Sequence, residues 1–163
     1  MNIELKNDLL NLPQLQSQVD TIVFDYIDSK PNWSKAYEQL NTLLQKCAQN
    51  FNGYIARNNG ALPKASTYWV LYMDIVAKLL YFTGLAKSHL IAIEDQEATA
   101  QIIELYKTSA SCLPNASLED NEEFISEVQK SLDKLAGRKL ELLTSEKTDT
   151  CIEKFYALSK TME

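Results

Sequence analysis

The chain has 163 residues, a formal net charge of -6 and a pI near 4.9, with 45% apolar and 23% charged residues. That balance fits a globular domain and excludes a disordered tail or a bilayer-embedded protein; the acidity argues against non-specific nucleic-acid binding, which needs a basic surface. Four glycines and four prolines are too few for the many tight turns of strand-rich folds.

Residues 1–8 show no basic region followed by an apolar one, so no secretory signal is expected. Ile3 and Leu5 could start a stray edge strand. After Pro13, a residue favoured at a helix start, Leu15, Val19, Ile22, Val23 and Tyr26 fall within an arc of about 100° at 100° per residue. This predicts a helix over 13–29, stopped at Ser29-Lys30-Pro31. Phe24 falls on its opposite, polar side, between Asp20 and Asp28.

Trp33, Tyr37, Leu40, Leu44, Cys47, Phe51 and Tyr54 alternate steps of four and three, predicting a second helix that Asn58-Asn59-Gly60 ends. Pro63 is expected to open a third helix, ending at Thr83-Gly84. Thirteen of the fifteen residues over 68–82 are apolar. That stretch is too short and too charged for a membrane span of about 20 residues, so it reads as the central helix of a bundle. Asp74 and Lys78, four apart, are placed to pair.

The 85–93 stretch fits either a helical turn or a short extended segment. Asp95 is a candidate N-cap for a helix carrying Ala98, Ile102, Leu105 and Tyr106, which breaks at 109–114. Ser117 with Asp120, or Asp120 with Glu123, offers a capping box before Phe124, Ile125, Val128, Leu132 and Leu135, with Gly137 as the stop. Thr150 with Glu153 resembles another capping box, ahead of Cys151, Phe155, Leu158 and Met162. The 138–147 stretch reads as helix or loop. The whole is an all-α bundle of five to six helices, one domain over 1–163.

Little chemistry is spelled out. The nearest two glycines are seven residues apart, which excludes phosphate-binding loops. One histidine, His89, excludes the zinc and di-iron motifs that need two. Cys47, Cys112 and Cys151, widely spaced, fit reduced thiols in the cytoplasm. An enzymatic alternative pairs His89 with Cys112 or with Cys151, whose place in the first turn of a helix would lower its pKa. Asp25 with Asp28, and Glu94, Asp95 and Glu97, read as surface charge and match no calcium loop. No cofactor and no metal are expected. A ligand-binding alternative makes Tyr68, Trp69, Tyr72, Tyr81 and Phe82 the lining of an aromatic cavity.

The charge is uneven along the chain. Residues 1–30 sum to -3, 31–90 to +4, 91–127 to -8 and 128–163 to +1. In the acidic block, Glu119, Glu122, Glu123 and Glu127 lie about 100° or more from Val128, on the outward face of their helix. Together with Glu94 and Glu97 they form a candidate acidic wall, with Phe24 as a candidate apolar anchor. The leading expectation is a non-enzymatic protein-binding module: an immunity- or antitoxin-type inhibitor that caps a basic partner, such as a nuclease toxin.

Overall fold

The computed structural model describes residues 11–92, 94–114, 119–145 and 147–162. Among the described residues the fold has six α-helices: α1 (Leu12–Val23), α2 (Trp33–Arg57), α3 (Thr67–Ser88), α4 (Gln96–Cys112), α5 (Glu119–Ala136) and α6 (Thr148–Thr161). No strand occurs among the described residues, and the all-α bundle expected from the periodicity is what forms. Ile3 and Leu5 lie outside the described residues, as do Ser117 and Ile93.

α1 is capped by the Asn11 side chain, which accepts from Gln14 N at 3.1 Å. It continues as a π-helical turn, Phe24–Ser29. Of the stripe read from the sequence, α2 buries Leu40, Leu44, Cys47, Phe51 and Tyr54, while Trp33 and Tyr37 are half-buried. It ends where Asn59 and Gly60 take positive φ, 58° and 81°.

α3 is the hub and packs against all five other helices. It begins four residues later than Pro63 suggests, because Ser66 supplies the N-cap, its hydroxyl accepting from Trp69 N at 3.4 Å. It also runs through Gly84 to Ser88. Gly84 is therefore no stop: a Cβ there would lie 2.9 Å from Tyr106 Cε1, so the missing side chain lets α4 approach α3 closely. At 22 residues α3 is long and apolar enough to cross a membrane, yet two-thirds of its apolar stretch (67%) is buried by its neighbours. Lys78 and Asp74 pair across one turn at 3.1 Å.

α4 is capped by Asp95 (Ala98 N to Oδ1, 3.0 Å). It runs past the expected break at Ser109, because the Ser109 hydroxyl donates to Ala77 O of α3 and so remains satisfied inside the core. The Tyr81 ring packs at a tilt against Tyr106 (5.6 Å between ring centres) and Lys87 donates to Gln101 (2.6 Å), which sets α3 and α4 antiparallel. α5 ends at Gly137, φ 69°, as its sequence suggests. α6 starts at Thr148 with no side-chain cap, so Thr150 and Glu153 form no capping box. The 138–145 stretch is non-helical.

One core cluster joins α1, α2, α3 and α6 around Leu40, Phe51, Met73, Leu80 and Phe155. A smaller one joins α3, α4 and α5 around Tyr81, Ile102, Tyr106, Val128 and Leu132. Each fully buried Leu, Ile or Phe contributes about 1.5–3 kcal/mol relative to exposure. Packing on an apolar hub thus holds this bundle together.

Candidate functional site

α5 presents two faces. Val128 and Leu132 are fully buried, while Glu122, Glu123 and Glu127 are exposed on the outward side, as the helical repeat requires. Glu119 opens the helix; its side chain lies outside the described residues. Glu122, Glu123 and Glu127 hold no ion pair among the described residues. The Glu127 charge is felt beneath this face. The Tyr81 hydroxyl is pushed above its ordinary range by burial and, secondarily, by the Glu127 carboxylate, although its hydrogen bond with Ser131 (2.8 Å) opposes the shift.

Glu94 and Glu97 are exposed too, but they do not join that face. Asn121 Nδ2 donates to Pro114 O at 3.1 Å, tying the start of α5 to the end of α4. The two helices are therefore antiparallel, and the start of α4 lies beside the end of α5. The charge of Lys134, near that end, acts on His89 just before α4. Glu122 and Lys134 are about 18 Å apart along the axis at 1.5 Å per residue. Glu122, Glu123 and Glu127 thus share the outer face of α5, whereas Glu94 and Glu97 lie at the start of α4, toward the end of α5 that carries Lys134.

Phe24 is 64% exposed on the π-helical turn, so none of the described helices covers it. The turn adjoins the start of α2, where Lys35 Nζ sits 5.5 Å from the Tyr26 ring. Next to it, Trp33 and His89 stack at 3.8 Å with their planes 2° apart. Leu90, 47% exposed, follows directly. The Trp33–His89 stack and Leu90 are features that periodicity did not point to, since each depends on which helix ends meet.

The thiols are poorly placed for catalysis. His89 stacks on Trp33, whereas Cys112 sits at the opposite end of α4, roughly 24 Å along the helix. Burial pushes the Cys47 thiol up to about 12, against a hydrogen bond with Tyr72, and raises Cys112 well above its ordinary range. Cys151 does lie in the first turn of α6, yet its pKa is about 11 rather than lowered. Desolvation in the core outweighs the dipole at that position. Burial and then the Lys134 charge hold the His89 imidazole below its usual value. Among the described residues, no three His, Cys, Asp or Glu side chains gather closely enough to hold a metal ion.

The aromatic side chains of α3 are used in packing. Trp69 contacts Phe51 (5.8 Å), Tyr54 (5.3 Å) and Tyr72 (5.2 Å), and Tyr81 contacts Phe124 (5.5 Å). Two open clefts lie elsewhere. One of about 710 Å³ separates α1 from α2, with Ile22 and Leu43 at its base and Gln18, Thr21, Gln39 and Lys46 around it. Another of about 330 Å³ lies between α4 and residues 140–143. In comparisons with known proteins, the chain matches no family model, no curated protein and no solved structure.

Proposed function

We propose that this protein is a non-enzymatic binding module, an immunity- or antitoxin-type inhibitor whose docking surface is the outer face of α5. The observation that carries this reading is the row of exposed carboxylates Glu122, Glu123 and Glu127, unpaired among the described residues, on a helix whose other face is rooted in the core. Like charges one turn apart repel by roughly 0.2–0.5 kcal/mol per pair, a cost that a cationic partner relieves. Such a face speeds encounter with a basic protein and imitates the phosphates that a nuclease toxin grips.

Phe24 and Leu90 are exposed apolar side chains, candidates for the desolvated anchor contact that charge alone does not supply. The three free, buried thiols suit a reducing compartment such as the cytoplasm. A photo-crosslinking residue at exposed Ser126, amid the α5 carboxylates, tests the reading in cells of the native source. Crosslinks to a protein bearing a lysine- and arginine-rich surface support it; crosslinks only to acidic or uncharged surfaces refute it.

A further inference from the structure

The cleft between α1 and α2 carries charge only toward its two ends, and both charges stand on α2. Glu38, Thr42 and Lys46 are exposed and follow one another at steps of four, so they form one ridge along the helix. Glu38 and Lys46 lie about 12 Å apart along the axis at 1.5 Å per residue. Neither holds an ion pair among the described residues. The facing wall on α1, Gln14, Ser17, Gln18 and Thr21, has no charge to offer either of them, and the floor is apolar, Ile22 and Leu43.

This pattern is complementary to itself. A two-fold axis through Thr42, the midpoint of the ridge, sets α2 antiparallel against α2 of a second copy. Glu38 then faces Lys46 of the second copy about 6 Å from the axis, and Lys46 faces Glu38 of the second copy on the other side. At the axis itself the Thr42 hydroxyl already donates to Glu38 O at 2.8 Å, so close approach strands no donor. No like charges are brought together there: Lys35, about 20° from Thr42 around the helix, falls opposite Gln49. A purely acidic or purely basic foreign helix satisfies one end of this cleft and opposes the other. A second copy satisfies both.

We propose that the cleft between α1 and α2 is the contact surface of a homodimer, in which α2 of each copy lies antiparallel in the cleft of the other, over Ile22 and Leu43. The ten described residues that line the cleft are fewer than the roughly 20–30 a side of a standard interface, so the dimer is a weak one that forms at micromolar concentration. The cleft shares no residue with the acidic face of α5, and the dimer stands whether or not that face docks a partner.

Sedimentation velocity on the intact chain from about 5 to 500 µM tests this. The expected result is a monomer–dimer equilibrium that weakens as salt rises. Glu38→Lys and Lys46→Glu each set like charges against one another at both ends, so either variant alone dimerises at least about tenfold more weakly. Mixing the two variants restores the dimer, because every lysine then faces a glutamate. Both positions are exposed, and an unchanged Tm for each variant shows that neither has unfolded. Thr42→Cys, at the axis, crosslinks to a dimer under copper-phenanthroline oxidation, whereas Ser126→Cys on α5 does not. A chain that stays monomeric at every concentration, a dimer indifferent to both reversals, or a mixture that associates no better than its components would overturn the proposal.

Discussion

Replacing Gly84 with alanine sets two known effects against each other. In an exposed helix interior the change stabilises by about 1 kcal/mol, because alanine loses less backbone freedom on folding. Here the new methyl would lie 2.9 Å and 3.2 Å from Tyr106 ring atoms and 3.4 Å from Leu105 Cβ. The ring cannot easily yield: it is 1% exposed, lies 5.6 Å from the Tyr81 ring, and has its hydroxyl hydrogen-bonded with Ser88. Forcing a methyl into a filled core costs about 1–3 kcal/mol. The expected net change is a loss of about 1 kcal/mol, which lowers Tm by roughly 2–4 °C for a chain of this length. Urea unfolding at constant m-value measures it. Tyr106→Leu, which removes the ring, should make the second substitution less harmful, with a coupling of about 1 kcal/mol. If Gly84→Ala stabilises the protein, or if the two changes simply add, the close approach of α3 and α4 is not what requires glycine.

Three further expectations follow from burial. Phe155→Ala, at a side chain with no exposure 5.1 Å from Phe51, costs about 3–5 kcal/mol, whereas Phe24→Ala stays within about 0.5 kcal/mol; chemical denaturation separates them. The Cys47 thiol holds its proton to about pH 12 when folded and releases it near its ordinary pKa of 9.0 when unfolded, so the unfolded state binds fewer protons between those values. Cys47 therefore makes stability fall as pH rises from 9 toward 12, by up to about 1.4 kcal/mol per pH unit, and Cys47→Ala flattens that slope. In a Trp69→Phe background, Trp33 emission should titrate with the stacked His89 at a midpoint below 6.5; a midpoint above 6.5 contradicts the burial of that imidazole.

Periodicity revealed what lies on each face of a helix. The stripe through Leu40, Leu44, Cys47, Phe51 and Tyr54, the near-apolar hub and the outward glutamates of α5 are all local consequences of 3.6 residues per turn. Where two helices meet was less visible. Gly84 reads as a stop in isolation, and only Tyr106, 22 residues later, turns it into a contact. Ser109 reads as a break until Ala77 O receives its hydroxyl. Glu94 and Glu97 share an acidic stretch with Glu122, but an antiparallel hairpin sends them to the other end. The short 113–118 connection was the available signal for that direction, since brief links favour antiparallel neighbours. At Cys151 the dipole was legible and the burial that overrides it was not.

The acidic face of α5 is the centre of the functional reading, and charge reversal tests it most directly. The triple variant Glu122→Lys, Glu123→Lys, Glu127→Lys changes only exposed positions. It should bind the crosslinked partner more than roughly tenfold more weakly, mainly through a slower and less salt-sensitive association, with an unchanged Tm. Full affinity in that variant, with the same salt dependence as the original chain, would contradict the account.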